Sequence, residues 1–386
     1  MDLVLGMLFK PGHLRILASF TLWKAALLIV ILFSPFIFRL QPSFLATGPT
    51  DFQKKPTIWA HANFDGNHYL TIAKSGYGYA QQAFFPLFPA LIKELSKVSH
   101  LNYEISALLI SNSCFFMALV VLYELLKFDL PFGLITLTIA VVLVFPTSFF
   151  FGAVYTESVF LLLALLSFYC ARKGKWMLSG LLGALATATR FVGIVLIPSI
   201  VIEWWLQRKS NKTNIPTYGN IISTLMIIPL GLFHYMWFLE KSTGDPLAFI
   251  HTLSKFGDYR SEKIILLYQV FWRYLKMLLT VNKADPLFMT IVLESVIGFV
   301  FLVTSVISFK TQRLSYAVFN FLAYLLPTLT GSFVSLPRYV LVCFPSFIAI
   351  AQFLYKKKLL CLIYLSLSAI SLIYFWAKFA MGYWVG

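Results

Sequence analysis

The chain has 386 residues, 59% of them hydrophobic and only 12% charged, about half the charged fraction of an ordinary soluble domain. So little polar surface cannot coat a water-soluble globule. The composition therefore specifies an all-α polytopic membrane protein and excludes a soluble enzyme with one anchor, a disordered chain, a collagen-like repeat and a soluble nucleic-acid binder. The net charge of +16 comes mostly from short Lys/Arg clusters between apolar runs, which mark topology and headgroup contacts.

A spanning helix needs about 20 apolar residues, because the hydrocarbon core is roughly 30 Å thick. The first candidate is Leu14–Phe38, with Lys10 and Arg15 ahead of its long apolar stretch and no small-residue cleavage site, as in an uncleaved signal anchor. A long loop, residues 39–103, follows. It holds two short helical pieces, Asp65–Ser75 and Ala83–Val98, separated by Gly76-Tyr77-Gly78. The second piece sets apolar residues against Lys93, Glu94 and Lys97 and is expected to lie in the membrane interface. Next come Ile105–Leu126, Leu130–Phe151 and Ser158–Ala171.

Residues Met177–Leu206 are too long for one upright helix and carry Arg190 near their middle. The span Ile221–Leu239 precedes a second long loop, residues 240–285. Candidates Pro286–Phe309, Ser315–Gly331, Tyr339–Leu354 and Leu359–Lys378 complete the chain. Lys127, Arg172, Lys173, Lys175, Arg208, Lys209, Lys212, Lys310, Arg313 and Lys356 to Lys358 all fall on the cytoplasmic side only if Met177–Leu206 goes out and back, turning near Arg190. That arrangement predicts about eleven spans in a single integral membrane domain, 1–386, with both long loops outside.

The four cysteines, Cys114, Cys170, Cys343 and Cys361, show no CxxC pattern and read as small apolar-segment residues. No Walker loop, nucleotide-binding glycine fingerprint or HExxH occurs. Lys24 and Glu294 fall within predicted spans, where they either pair with each other or snorkel, and the sequence assigns them no further role.

Asp65, His68, Glu157, Arg190, His251, Asp258, Arg260 and Arg338 are the polar residues expected on the outer face. On a helix Asp65, His68 and Tyr69 share one side at i, i+3 and i+4. Asp65 is either a base for a hydroxyl or a helix cap; His68 binds phosphate or caps; Tyr69 contacts substrate or anchors the interface. Tyr155 precedes Glu157 at the turn into a span, and Thr156 with Glu157 would equally suit a helix start. Arg190 and Arg338 are fixed cations suited to a bidentate phosphate contact, or to snorkelling toward headgroups. A divalent metal bridging the carboxylates is conceivable, but the sequence offers too few assured ligands to assign one.

The run Phe64-Asp65-Gly66-Asn67-His68-Tyr69, with Gly76-Tyr77 and Phe84-Phe85-Pro86-Leu87-Phe88-Pro89, resembles the first outer loop of the PIG-V family of GPI mannosyltransferases and their prokaryotic relatives. Pro146-Thr147-Ser148 with Tyr155-Thr156-Glu157-Ser158, Thr187-Ala188-Thr189-Arg190 and Pro337-Arg338-Tyr339 resemble later blocks of that family, in its order. Phe64 stands where the family is expected to have Trp.

The resemblance implies a GT-C glycosyltransferase fold, a sugar donor on polyprenyl phosphate, a lipid or glycan acceptor and catalysis at the outer or lumenal face. It makes Asp65 the acidic catalytic residue, the general base on the acceptor hydroxyl. With it, Glu157 is a second catalytic carboxylate that orients the acceptor or substitutes as base, Arg190, Arg338 and His68 hold the donor phosphate, and Tyr69 and Tyr155 contact substrate. The compact loops fit a prokaryotic plasma membrane better than the endoplasmic reticulum. A transporter or flippase for a lipid-linked or phosphate-bearing substrate is the competing class. It is disfavoured because no internal repeat is visible and the polar residues crowd one face.

Overall fold

The computed structural model describes residues 11–210, 217–252 and 264–385, and every regular element among them is helical. Helix α1 (Pro11–Ile37) is the first long apolar helix. The loop after it is built of short helices: α2 (Pro49–Lys54), α3 (Pro56–Trp59), α4 (Asp65–Ser75) and α5 (Leu87–Ser99). Pro49 and Pro56 sit at the first position of their helices, where a missing N–H costs nothing. Then α6 (Tyr103–Leu126), α7 (Phe132–Val144), α8 (Glu157–Arg172), α9 (Trp176–Thr187) and α10 (Leu196–Lys209) run back and forth. Helices α11 (Tyr218–Ile227) and α12 (Leu230–Thr243) follow one another, and α13 (Ala248–His251) and α14 (Leu267–Thr280) occupy the second long loop. The chain finishes with α15 (Phe288–Thr311), α16 (Leu314–Thr328), α17 (Leu336–Tyr339), α18 (Phe344–Leu354) and α19 (Lys358–Ala380).

Among the described residues, six stretches are long and apolar enough to cross a membrane alone: Gly12–Ile37, Tyr103–Leu126, Phe191–Lys209, Tyr218–Thr243, Phe288–Thr311 and Lys358–Ala380. A seventh arises if Leu336–Val342 and Phe344–Leu354, bent by 86°, count as one. Length alone therefore does not reach the eleven expected spans. Helices α7, α8, α9 and α16, of 13, 16, 12 and 15 residues, stand where the others were expected. The run Leu130–Phe151 is shortened for a local reason. Pro146 forces Phe145 into extended geometry at φ −58°, ψ 139°, as proline does to the residue before it, and the chain continues as a 3-10 turn, Ser148–Gly152.

The expected reversal near Arg190 is present, with Arg190 extended between α9 and the 3-10 turn Phe191–Val195. Helix α4 has the expected bounds. Helix α5 differs in its surroundings. Phe88 and Ile92 are fully buried in the protein, Phe88 against Tyr69 with ring centroids 5.3 Å apart, so much of its apolar face meets the bundle and not lipid. Leu91 and Val98 remain exposed beside Lys93, Glu94 and Lys97.

The ends of the bundle opposite the Arg190 reversal are tied by ion pairs. Fully buried Glu203 accepts from Arg313 Nε at 2.6 Å and Nη2 at 2.8 Å, from Ser315 Oγ at 2.8 Å and from Gln207 Nε2 at 2.6 Å. Arg172 grips Asp129 through both terminal nitrogens at 2.6 and 2.9 Å. These contacts join α8, α10, α16 and the α6–α7 turn at the end that carries the basic clusters. Glu203→Leu leaves Arg313 and Ser315 without their acceptor and is expected to cost about 3–5 kcal/mol, the scale for breaking a buried pair. Thermal unfolding of the protein in lipid reads that loss. Activity per folded molecule should be unchanged, because the network lies at the other end from the site described next.

Candidate active site

The site begins with a strained turn. Asn63-Phe64-Asp65-Gly66 closes through Gly66 N donating to Asn63 O at 3.3 Å, with Phe64 at φ 56°, ψ −120°. That geometry is usual for glycine in a type II′ turn, and a non-glycine residue there costs about 1–3 kcal/mol. The Phe64 ring holds the turn by packing on Phe44, Phe379 and Trp384 at 5.2, 5.6 and 5.2 Å. Buried Asn63 fixes the other side, donating to Phe379 O at 3.0 Å and accepting from Ala46 N at 3.3 Å.

Asp65 is consequently the first residue of α4, and the N-cap position is taken by Phe64, whose side chain makes no cap hydrogen bond. Its Oδ2 accepts from Arg338 Nη1 at 2.6 Å. Arg338 comes from α17, whose carbonyl at Pro337 accepts from buried Thr147 Oγ1 at 2.6 Å. The same guanidinium reaches the second carboxylate, with Nε 3.6 Å from Glu157 Oε1. Glu157 Oε1 in turn accepts from Arg190 Nη1 at 2.8 Å.

Four residues distant in sequence thus form one alternating row, Asp65, Arg338, Glu157, Arg190. Aromatic rings frame it. Arg338 lies over Tyr155 and Tyr339, 5.1 Å from each centroid, and Arg190 over Tyr339 at 5.0 Å. Glu157 is 1% exposed and Arg338 5%. Among the described residues, Glu157 Oε2 and Arg338 Nε are buried without a hydrogen-bond partner. Buried polar atoms are rarely left so, and this donor and acceptor sit side by side in the row.

The remaining expected residues surround it. Tyr69 is buried beside Thr156, and burial raises its phenol. Tyr155 is buried with its hydroxyl donating to Asn63 O at 2.8 Å, so its hydroxyl braces the Asp65 turn while its ring supports Arg338. His68 stacks on Phe84 at 4.7 Å, and its Nδ1 is 3.2 Å from Gln81 Nε2. Burial lowers the His68 imidazole against the opposing pull of Asp65, so at neutral pH it offers a hydrogen bond and no charge. His251 is exposed and paired with Asp245 at 2.7 Å, apart from the row. Asp258 and Arg260 lie outside the described residues.

Among the described residues no group of three or more His, Cys, Asp or Glu side chains is placed to hold a metal ion. Sequence reasoning did not single out Asn63, Thr147 or Tyr339. Thr147 and Tyr339 do lie inside the family-like runs Pro146-Thr147-Ser148 and Pro337-Arg338-Tyr339, whereas nothing local marks Asn63.

A mannosyltransferase (PIG-V) family model matches residues 21–209, the stretch that holds Asp65, His68, Tyr69, Tyr155, Glu157 and Arg190. No curated protein sequence matches the chain. Among solved structures, the Archaeoglobus fulgidus oligosaccharyltransferase in its apo form is similar at TM-score 0.47 and 12% identity, over 98% of this chain and 57% of that one. The form of that protein tethered with an acceptor peptide containing the NVT sequon gives 0.44 and 13%, over 98% and 56%. Its complex with Zn and sulfate gives 0.42 and 10%, over 94% and 53%. The chain thus spans just over half the length of these structures.

Proposed function

We propose that this chain, whose residues 21–209 match a mannosyltransferase (PIG-V) family model, is a membrane glycosyltransferase that moves a sugar, mannose by that match, from a polyprenyl-phosphate donor to a lipid-linked or glycan acceptor at the outer face. The observation that carries this is Arg338 standing between Asp65 at 2.6 Å and Glu157 at 3.6 Å, with Arg190 beyond. Two cations and two carboxylates in alternation can bind a phosphate and activate a hydroxyl within one small volume.

The donor phosphate binds between Arg190 and Arg338, whose forked donors match its oxygens. As Arg338 turns part of its hydrogen bonding to phosphate, the Asp65 carboxylate becomes available to the acceptor. Asp65 takes the proton of the acceptor hydroxyl, the acceptor oxygen forms a bond to the anomeric carbon, and the bond from that carbon to the phosphate oxygen breaks with inversion. The electron pair leaves on the polyprenyl phosphate, where the two guanidiniums stabilise the growing charge. Glu157 Oε2, buried and unpartnered among the described residues, orients the acceptor.

Donor binding tests the assignment. Polyprenyl phosphate is titrated into the full chain in lipid nanodiscs, for wild type, Arg190→Gln and Arg338→Gln. Each loss of a phosphate contact is expected to weaken binding by about tenfold or more, in line with 1.5–3 kcal/mol for a hydrogen bond to a charged group. Equal affinity in all three folded proteins overturns the phosphate assignment. Movement of the intact lipid phosphosugar across proteoliposomes, without sugar transfer, would instead favour the transporter.

A further inference from the structure

Lys24 lies well inside α1, where an ammonium is expensive, and it does not reach toward a membrane surface. Its Nζ points into the bundle, 3.1 Å from His61 Nε2 and 3.4 Å from Gly152 O. An ammonium only donates, so the His61 nitrogen accepts and its imidazole is neutral. Burial and the Lys24 charge both hold His61 well below the usual histidine range. Asn112 Nδ2 reaches the same Gly152 carbonyl at 3.4 Å.

The two residues that Lys24 touches belong to different connections. His61 lies four residues before Asp65, and Gly152 five before Glu157. Between these points the connections run side by side. Val154 N donates to His61 O at 2.9 Å and Tyr155 Oη to Asn63 O at 2.8 Å. The fit is close: a Cβ on Gly152 would sit 3.0 Å from Trp23, 3.3 Å from Asn112 and 3.3 Å from Lys24 Nζ. A Cβ on Gly66 would sit 3.4 Å from Val154 O.

We propose that Lys24 is a positioning residue for sugar transfer, a cationic tie that holds the Asp65 connection against the Glu157 connection and so fixes the two carboxylates around Arg338. His61 is the second half of the tie. This rests on the transferase assignment made above. Lys24 touches neither carboxylate, so its removal displaces reacting groups without removing any of them.

The experiment uses the full chain in lipid with polyprenyl-phosphate mannose as donor. Lys24→Met keeps the length of the side chain and removes its donors. Its kcat is expected to fall by about 10- to 100-fold, the cost of a displacement of around 1 Å, while its affinity for polyprenyl phosphate changes less than about threefold, within the scatter of distant sites. His61→Gln keeps an acceptor for Lys24 and should retain most activity, whereas His61→Leu should behave like Lys24→Met. The double variant Lys24→Met with His61→Leu should be little worse than either single one, because both break one contact.

A folded Lys24→Met protein with wild-type kcat overturns the proposal. So does a variant whose kcat and phosphate affinity fall together with its folded fraction, which marks a purely structural role. If the wild type itself transfers no mannose, the transferase assignment fails first and the positioning role falls with it. The contact is checked separately by 15N chemical shifts of His61, whose accepting Nε2 should move when Lys24 is replaced.

Discussion

Replacing Asp65 by Asn is expected to lower sugar transfer by about 10²- to 10⁴-fold, the range for a general base, in a protein that still folds. Asn keeps the size of the side chain and an oxygen that accepts from Arg338, presently 2.6 Å from Asp65 Oδ2. The Phe64 turn does not depend on the carboxylate, because it is closed by Gly66 N, by Asn63 and by the Phe64 ring. Polyprenyl phosphate should bind the variant at least as tightly as wild type, since Arg338 has lost a competing anion. Retained transfer by Asp65→Asn would move the base elsewhere, with Glu157 the next carboxylate in the row.

Arg338→Met is expected to be as damaging for a different reason. It removes the cation that stands between Asp65 and Glu157, leaving two anions facing each other in a buried site and the leaving phosphate with Arg190 alone. Loss of one donor to developing charge costs about 10²- to 10³-fold in kcat. The acidic limb of the pH–rate profile should also move to higher pH. A carboxylate deprived of a nearby cation and left beside another anion is harder to ionise, so the basic form of Asp65 would be populated only at higher pH. Arg338→Lys keeps the charge but not a fork able to reach both carboxylates, and should fall between Met and wild type. An unmoved acidic limb in Arg338→Met would separate the ionisation that governs activity from this row.

Much of this site is legible in the chain because membrane topology sorts residues by side. Helix α4 was readable from its local pattern, and the reversal at Arg190 followed from keeping the basic clusters on one side. Helix α9, running back along α8, brings Arg190 to the start of α8, where Glu157 waits. What sequence could not supply is pairing. Nothing in Pro337-Arg338-Tyr339 says that Arg338 crosses to Asp65, 273 residues away, or that Lys24 meets His61 and not Glu294.

Glu294 instead accepts from Tyr274 Oη of α14 at 2.6 Å. Helix α14 itself was missed because it is short and two-faced. It buries Val270 and Tyr274 and exposes Tyr268, Trp272, Leu275 and Leu279, a pattern that a search for uninterrupted apolar runs passes over. The Phe64 turn escaped for another reason, since its positive φ is held by rings from distant parts of the chain and no local residue announces it. Apolar runs also overstate helix length where a proline intervenes, as Pro146 does after α7.

The decisive measurement gives the purified protein in lipid a labelled polyprenyl-phosphate mannose, with a lipid extract of the host as acceptor, and follows label into product for wild type and Asp65→Asn. Transfer by wild type that collapses in the folded Asp65→Asn protein, with the phosphate lipid still bound, is the expected result. Equal transfer by both proteins, or none by a wild type that binds polyprenyl phosphate and accepts neither mannose nor glucose donors, would contradict a transferase centred on Asp65.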